Sequence, residues 1–509
     1  MGSCMISFRG HEAPTWVLAA LESGAVGAVC LFSFNVASLR QLRELNLSLM
    51  AAAAAGGHPP PIIGIDQEGG QLMAVGHGAT ELPGNLALGA AGSVELARRT
   101  GEVLGSELLA LGCNMNIAPV LDLATQQASD VLGVRALGDD PQRVAALGAA
   151  LIAGMQSNGV LATAKHFPGH GDTQLDSHHS TPVITAPLEL LKRRELVPFA
   201  AAIKAGVAAI MSCHAIYPAL DDAVATHSRA VLTGLLRDEL GYAGVVVTDA
   251  LDMSAVGDLP GVERARRSLR AGADLAMLGH LPDQQQIVRE LEAETDPASA
   301  ARVLAVRRGL PTELPPLSVI GSQAHREVAR VSSEAAITVV RGDPRLAAGA
   351  RVLVVSVAAG ALTPAETAPG GATCLAAQLR ARVPDTTEVV LERSAPAAAV
   401  DAVAGQVAAW RAAGGGEVVV ATVNAAGDEA QLSLLRRLVA MGTDPILVAL
   451  RNPLDVAAAG ALRRAICSYG RREPQTEAVA RVLCGELEGR GRLPVAVPPA
   501  ALTDERTRP

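Results

Sequence analysis

The chain has 509 residues, of which 49% are hydrophobic and 18% charged, so it is long enough for several domains and has a globular composition. Its net charge of −8 disfavours nucleic acid as the main partner, because phosphate binding requires a basic surface. The seven cysteines contain no C-x-x-C pair, which favours reduced thiols over a disulfide framework or a structural zinc site.

The N-terminal stretch MGSCMISFRGHE has no basic segment followed by an apolar one, as a signal peptide would have. The apolar runs of the chain are interrupted by polar residues and fall short of a membrane span. We therefore expect a cytoplasmic protein without a membrane partner, present as a monomer or a homodimer.

Short runs rich in β-branched residues recur along the first part of the chain and alternate with Ala/Leu/Arg-rich segments of helical period. The eight predicted strands are MISF (5–8), AVGAVCLF (25–32), PIIGID (61–66), NMNIAPVLD (114–122), VLATAKHF (160–167), AAIMSCH (208–214), GVVVTDA (244–250) and ADLAMLG (273–279). Helices are expected between them, among others at 93–112, 141–159 and 188–206.

Eight strand–helix units in succession predict a (β/α)8 TIM-type barrel over residues 1–310. The alternative is a doubly wound open sheet, but its usual fingerprint G-x-G-x-x-G is missing after the first strand. The barrel is therefore the favoured α/β fold.

A proline cluster and a charged helical stretch predict a linker helix at 311–335, followed by a smaller α/β sandwich domain at 336–509. The strands expected in this second domain are RVLVVSV (351–357), EVVLE (388–392), EVVVATVN (417–424), PILVAL (445–450), AICSY (465–469) and LPVAV (493–497). The domain has no clustered histidines and no phosphate-binding loop. We expect it to support the barrel, to oligomerise or to border the mouth of the barrel.

Ionisable residues follow five consecutive predicted barrel strands, namely Asp66, Asp122, the pair Lys165 and His166, His214, and Asp249. One aspartate after a strand is commonly only a turn or a helix cap. Because the carboxyl ends of barrel strands meet at one face, five such positions in succession favour a shared functional site.

The stretch AKHFPGHGDTQLDSHHSTP (164–182) holds four of the eleven histidines. Their spacing matches no zinc pattern, so we expect neither a metal nor a cofactor, although a solvated histidine loop stays open as an alternative. Asp176 and His178 project to one side of an extended segment, where the carboxylate would orient the ring for acid/base catalysis.

A rigid carboxylate at Asp249 suits attack on an anomeric carbon. Lys165 and His166 suit the fixing of hydroxyl groups.

Four segments together resemble the motifs of glycoside hydrolase family 3, in particular its bacterial β-N-acetylglucosaminidases that act on cell-wall muropeptides. They are AKHFPGHGDTQLDSHHSTP, IGIDQEGGQ, GVRALGDDP (133–141) and VVVTDALDM (245–253). More loosely, ALRNPLDV and GRGRLPVAVP resemble parts of the C-terminal α/β sandwich of that family.

The resemblance implies a retaining exo-β-N-acetylglucosaminidase that needs no cofactor and takes a small glycoside as its substrate. It implies that Asp249 is the nucleophile and that His178 is the acid/base, with Asp176 as its partner. It also implies that the sugar is bound by Asp66, Arg135, Lys165 and His166, with His214 near the site.

The chain departs from the family pattern at two positions. Gln71 stands where the family usually has an arginine, and Leu137 stands where an aromatic residue is common. Three alternatives stay open from the sequence. They are a glycoside phosphorylase, since a neutral histidine acid/base repels phosphate less than a carboxylate would, a catalytically silent sugar-binding barrel, and a metal-dependent hydrolase.

Overall fold

The computed structural model describes residues 2–76, 78–125, 132–173, 180–358, 360, 367, 374–460 and 462–497. Its first sheet consists of eight parallel strands that follow one another in chain order around a ring. The strands, which we number one to eight, are Cys4–Ile6, Ala28–Leu31, Ile62–Ile65, Met115–Asn116, Leu161–Phe167, Ala209–Ser212, Val245–Thr248 and Ala276–Met277.

The ring closes between the seventh and the eighth strand. Val247 and Leu275 form a parallel bridge there, and the Thr248 N–H donates to the carbonyl of Leu275 at 3.0 Å. The first and eighth strands also pair directly. The predicted TIM-type barrel is therefore confirmed, and the open doubly wound sheet is excluded.

The interior of the barrel is filled mainly by flexible and small apolar side chains. Met5, Met115, Met211 and Met277 are buried in one cluster with Cys30 and other residues of the strands. A chain with only 2% aromatic residues has few rings with which to fill this space, and methionine adapts to irregular gaps.

Helices cover the outside of the barrel and alternate with its strands. They are Thr15–Glu22, Leu39–Ala55, Asn85–Ala91, Val94–Ala110, Pro141–Gln156, Leu188–Arg193, Leu196–Lys204, the π-helix Ala230–Glu239, Gly261–Ala271, Gln284–Leu291 and Pro297–Arg308. The helix expected at 188–206 is divided in two near Arg194, whose guanidinium binds Asp172 in the histidine-rich loop. None of the helices in the described ranges is both long and apolar enough to cross a membrane.

The second domain contains a mixed six-stranded sheet. In spatial order its strands are Thr338–Arg341, Arg464–Cys467, Ile446–Ala449, Glu417–Thr422, Val352–Ala358 and Thr386–Glu392. All neighbouring pairs are parallel except the first, where the edge strand Thr338–Arg341 runs antiparallel. The helices are Leu375–Arg380, Ala397–Ala412, Glu429–Ala440, Leu454–Ala458 and Glu473–Leu483. The α/β sandwich is thereby confirmed.

The prediction of a strand at 493–497 is wrong. Leu493, Val495 and Val497 are buried, which explains their alternating pattern, but they lie in a cluster shared between the barrel and the second domain. The backbone bonds of this segment go to the barrel: the Ala496 N–H donates to Asp139 Oδ2 at 2.6 Å. Burial at a domain interface has here produced the sequence pattern of a strand.

The chain passes from the barrel to the second domain through the helix Gln323–Ala336, which occupies half of the predicted linker. The edge strand Thr338–Arg341 follows it almost at once, and it was not predicted. The domain boundaries at residues 310 and 335 stay predictions.

Candidate active site

A cavity of about 400 Å³ opens at the carboxyl ends of the barrel strands, within the size range of small-ligand pockets. Five of the predicted site residues line it: Asp66, Arg135, Lys165, His166 and Asp249. They come from the ends of the third, fifth and seventh strands and from the loop after the fourth. The barrel thus brings together groups that are up to 183 positions apart in the sequence.

One side of the cavity is a network of buried charges. The ammonium Nζ of Lys165 lies 2.7 Å from Asp66 Oδ1 and 2.7 Å from Glu68 Oε1. Arg135 binds Glu68 through two bonds, of 2.8 Å and 3.0 Å. The side chain of Glu68 is 2% exposed and that of Asp66 is 26% exposed. The Asp66 carboxylate is therefore accessible from the cavity, whereas Glu68 binds Lys165 and Arg135 from the buried side. We call these four residues the charge network.

The charge network keeps Glu68 and Lys165 ionised at neutral pH. Burial alone would raise the pKa of Glu68, but Arg135 and Lys165 outweigh burial and lower it to about 2. Burial alone would lower the pKa of Lys165, but Asp66 and Glu68 raise it above its usual value. A fixed array of charged donors and acceptors of this kind suits the binding of sugar hydroxyls.

Asp249 follows the seventh strand, and its side chain is 19% exposed to the cavity. The Ala250 N–H donates to Oδ1 at 2.8 Å, and Oδ2 lies 3.9 Å from Nε2 of His166. Burial would raise the pKa of Asp249, but His166 and the other positive and N–H groups around it lower the pKa below its usual value. The carboxylate is therefore ionised, oriented and accessible, as a nucleophile must be.

His166 is held from the side opposite Asp249 by Asp122. Its Nδ1 lies 2.6 Å from Asp122 Oδ2, and Asp122 Oδ1 accepts the backbone N–H groups of His166 and His170, at 3.2 Å and 2.6 Å. Asp122 is fully buried, and burial would raise its pKa, yet His166 and these bonds lower it. Asp122 thus fixes the ring of His166 in the cavity wall.

His214 lies behind the cavity wall. It is 1% exposed, with Nδ1 2.8 Å from Thr226 Oγ1 and Nε2 3.0 Å from the carbonyl oxygen of Ala250. Burial lowers its pKa, so the ring is neutral at pH 7. Because it binds the residue after Asp249, it is placed to position the Asp249 carboxylate and does not itself line the cavity.

The histidine-rich loop, which belongs to the stretch 164–182, begins where its backbone at Gly171 packs directly against the backbone of Leu123. A side chain at Gly171 would lie 1.7 Å from the carbonyl oxygen of Leu123, so only glycine fits there. Asp172 then binds Arg194 at 2.6 Å, and beyond the loop Thr181 Oγ1 donates to the carbonyl of Ala255 at 3.0 Å.

The predicted dyad of Asp176 and His178 lies outside the described residues, as does His179. The acid/base therefore stays a prediction. His170 lines the cavity, and burial lowers its pKa to about 4, so it is neutral at pH 7.

The sequence did not reveal several residues of the site. Glu68 carries a signal, since it lies two positions after Asp66 in the motif IGIDQEGGQ, and it is buried like the residues on either side of it. Asp122 follows a predicted strand, but its position in the sequence indicates no particular role. Thr367 of the second domain lines the cavity, accepting the Met73 N–H at Oγ1 (2.8 Å) and donating its own N–H to the carbonyl of Gln71 (3.1 Å). No local pattern indicates a contact across almost 300 residues.

Gln71, which replaces the usual arginine of the family, does not line the cavity. It faces the second domain, where the Arg451 guanidinium donates to its Oε1. Arg451 belongs to the segment ALRNPLDV, which resembles part of the C-terminal α/β sandwich of the family. A positive charge thus stands beside residue 71 after all, supplied from the other domain.

In the part of the chain that the structure describes, no group of three or more His, Cys, Asp and Glu side chains is placed to hold a metal ion. The charge network and the pair of His166 and Asp122 are explained by their mutual contacts.

Comparison with known proteins agrees with this architecture. The model of the glycosyl hydrolase family 3 N-terminal domain matches residues 10–305. A β-hexosaminidase of Thiobacillus denitrificans is 39% identical over 332 residues, which cover 64% of this chain and 91% of that protein.

Two solved structures are also similar. A family 3 β-N-acetylglucosaminidase from Paenibacillus sp. FPU-7 superposes with a TM-score of 0.89 at 35% identity, covering 97% of each chain. NagZ from Neisseria gonorrhoeae superposes with a TM-score of 0.58 at 29% identity, covering 66% of this chain and 98% of that one. Since the family model spans more than half of the sequence, the chain belongs to glycosyl hydrolase family 3 and is a glycoside hydrolase.

Proposed function

We propose that this glycoside hydrolase is a retaining exo-β-N-acetylglucosaminidase that removes a terminal β-linked N-acetylglucosamine, with muropeptides or related glycosides as substrates. The observation that carries the proposal is the position of Asp249. It is an ionised, accessible carboxylate that shares one cavity with the charge network. The charge network would bind the hydroxyls of the terminal sugar and bring its anomeric carbon to Asp249.

In the first step, an oxygen of Asp249 attacks the anomeric carbon as the glycosidic C–O bond breaks. The bond from the Ala250 N–H to Oδ1 leaves Oδ2 as the oxygen that faces His166 and the cavity. His178, oriented by Asp176, gives its proton to the departing oxygen. The products of this step are a glycosyl ester on Asp249 and a free leaving group.

In the second step, His178 takes a proton from water, and the oxygen of that water attacks the anomeric carbon. The ester bond breaks and Asp249 leaves as a carboxylate. Its low pKa favours this departure, because the charged form of Asp249 is stabilised by the groups around it. Two inversions give net retention at the anomeric carbon.

Sugar choice is supported by similarity over the whole length of the chain. The Paenibacillus enzyme, described as a β-N-acetylglucosaminidase, matches both domains, and the curated relative is named a β-hexosaminidase. Muropeptides are proposed as substrates from the resemblance of the loop motif AKHFPGHGDTQLDSHHSTP.

A panel of aryl β-glycosides assayed with and without phosphate tests this function. The N-acetylglucosaminide is expected to react faster than the glucoside and the N-acetylgalactosaminide, and to release the free sugar at a rate independent of phosphate. A sugar 1-phosphate product would overturn hydrolysis in favour of phosphorolysis. A glucoside that reacts faster would overturn the choice of sugar.

A pair of variants tests the two proposed roles. Asp249→Ala is expected to abolish turnover, since no other group replaces the nucleophile. His178→Ala is expected to hydrolyse an activated aryl glycoside slowly, because a good leaving group needs little protonation. Substantial activity in Asp249→Ala would show that the nucleophile has been misassigned.

A further inference from the structure

A second large cavity opens at the end of the barrel opposite to the active site. Its volume is about 530 Å³, compared with about 400 Å³ for the active-site cavity. It is lined by Ser3, just before the first strand, and by Ala273, just before the eighth, so it lies at the amino ends of the strands. No described residue lines both cavities. We call this one the amino-end cavity.

The lining of the amino-end cavity is rich in arginine. Five guanidinium groups line it, whereas only two carboxylates among the described residues do so, namely Glu294 and Asp296. The arginines are Arg229, Arg237, Arg266, Arg270 and Arg302. In a chain with a net charge of −8, such an excess of cations indicates a local preference for anions.

Two of the arginines are fixed by a buried carboxylate. Asp274 is fully buried and lies behind the lining, where its Oδ2 accepts a bond from Arg237 at 2.6 Å. Its Oδ1 accepts two bonds from Arg302, at 2.7 Å and 3.0 Å. These pairs hold that side of the cavity in shape, and they use the charges of Arg237 and Arg302 within the protein.

Two further arginines share one carboxylate. Arg266 binds Glu294 at 2.9 Å and also binds Glu263 at 3.3 Å. Arg270 lies 3.5 Å from Glu294, and its side chain is 71% exposed. Because Glu294 already binds Arg266 at the shorter distance, Arg270 is weakly paired and most of its N–H donors are available to a ligand.

Arg229 is the fifth arginine, and it has no counter-ion in the protein. It stands directly before the π-helix Ala230–Glu239, and its side chain is exposed. Among the described residues, its guanidinium takes part in no hydrogen bond and no ion pair. Pairing with carboxylates therefore accounts for the positions of the other arginines but not for that of Arg229.

The amino-end cavity combines the groups that recognise a phosphate ester. Guanidinium groups bind phosphate oxygens through two parallel N–H bonds, a geometry that the ammonium of lysine does not offer. Leu269 and Leu291 add apolar surface to the same lining, against which a carbon skeleton can pack. The volume is larger than a bare ion needs and lies in the range of small-ligand sites.

We propose that the amino-end cavity is a second binding site, which takes a small phosphate monoester. Arg229 and Arg270 bind the phosphate, and the carbon skeleton lies against Leu269 and Leu291. The inference is independent of the proposed glycosidase function, because no residue of the active site takes part in it.

Calorimetric titration of the full chain at low ionic strength tests the site with three probes, namely ribose 5-phosphate, ribose and inorganic phosphate. Ribose 5-phosphate is expected to bind at one saturable site and to bind more weakly as salt is added, since the contact joins charged groups. Ribose is expected not to bind. Inorganic phosphate is expected to bind about three- to tenfold more weakly than the ester, because it lacks the contacts of the carbon skeleton.

Arg229→Gln removes the charge and is expected to weaken the binding of ribose 5-phosphate about tenfold, the size of one hydrogen bond between charged groups. Arg270→Gln is expected to weaken it about three- to fivefold, since this guanidinium is shared with Glu294. Arg411→Gln, at an exposed arginine on the helix Ala397–Ala412, is the matched control and is expected to leave the affinity unchanged. The thermal unfolding midpoints of the three variants should match that of the wild type, because all three side chains are exposed.

Three results would overturn the proposal. Equal affinity of Arg229→Gln and the wild type would place the ligand elsewhere, for example at the charge network of the active site. A wild type that shows no saturable binding of ribose 5-phosphate up to about 10 mM would remove the site altogether. Inorganic phosphate that binds as tightly as the ester would show that the site takes a free phosphate ion. Each of these results would leave the proposed glycosidase function as it stands, since that function is tested separately at Asp249 and His178.

Discussion

Asp122 and Asp249 are two aspartates on either side of His166, and they differ in almost everything except residue type. Asp122 is fully buried and accepts bonds from the His166 ring and from two backbone N–H groups. Asp249 is 19% exposed and accepts one bond, from Ala250, among the contacts of the described residues. The carboxylate of Asp122 is used to fix the His166 ring in the cavity wall, whereas Asp249 keeps one oxygen exposed to the cavity.

The contrast shows how the protein separates structure from reactivity. A buried carboxylate is costly unless it is paired and hydrogen-bonded, and the bonds to Asp122 offset that cost. The pKa of Asp249 is also lowered, but mostly by charges at a distance, His166 foremost. Asp249 is therefore ionised while one of its oxygens stays open to the cavity.

The largest expected effect comes from Asp249→Asn. This change removes the proposed nucleophile but keeps the side-chain volume and the bond from the Ala250 N–H, so kcat/KM should fall on the order of 10⁴-fold or more. Thermal unfolding should remain close to that of the wild type, because the side chain has few other contacts. Activity within tenfold of the wild type would mean that Asp249 is not the reacting carboxylate.

Asp122→Ala is the reverse case and should mainly affect stability. The change leaves His166 and two buried N–H groups without their acceptor, so the free energy of unfolding should fall by about 3–5 kcal/mol, as for other broken buried pairs. Activity should fall about 10- to 100-fold, since His166 loses the group that orients it. Urea denaturation measures the loss of stability, and the rate on an aryl glycoside measures the loss of activity. A variant as stable as the wild type would contradict the structural role of Asp122 that distinguishes it from Asp249.

Glu68 is a third carboxylate, as buried as Asp122 but paired with cations. Its pKa is lowered from 4.5 to about 2, so the stability it contributes is present above pH 4.5 and is lost as the pH falls toward 2. The lowering corresponds to roughly 3 kcal/mol lost over that range. Denaturation at several pH values should show this loss in the wild type. In Glu68→Gln the free energy of unfolding should fall less steeply as the pH is lowered. Equal pH dependence in the variant and the wild type would contradict the low pKa of Glu68.

His214→Gln should have the smallest effect of the four. The histidine binds the carbonyl of Ala250, so its loss should displace Asp249 slightly without touching the charge network. We expect kcat to fall about tenfold with KM within twofold, as for an outer residue that orients a reactive one. A change confined to KM would instead place His214 in contact with the sugar.

The sequence predicted most of the barrel and four residues of its cavity for one physical reason, while a fifth, Arg135, was implied only by the family resemblance. The carboxyl ends of parallel strands converge, so Asp66, Lys165 and Asp249 could be brought together without knowledge of any side-chain contact. Position after a strand could not show that Asp122 is enclosed and Asp249 open, because both follow an apolar run and they differ in exposure and in the number of donors around them.

Contacts between distant segments were beyond sequence reasoning. Thr367 reaches the cavity, and Arg451 reaches Gln71, only because the two domains share an apolar cluster. The same cluster buries Leu493 and Val495 in alternation and produced the mistaken strand. Periodicity reports which side chains are buried but does not report which element buries them.

The central claim, that Asp249 forms a covalent bond to the sugar, is tested most directly by trapping the intermediate. A 5-fluoro derivative of β-N-acetylglucosaminyl fluoride should form the glycosyl ester quickly and release it slowly. Digestion and mass spectrometry should then find one added sugar on the peptide that contains VVVTDALDM, with Asp249 as the modified residue. A label on any other carboxylate, or turnover of the natural substrate with inversion at the anomeric carbon, would contradict the account.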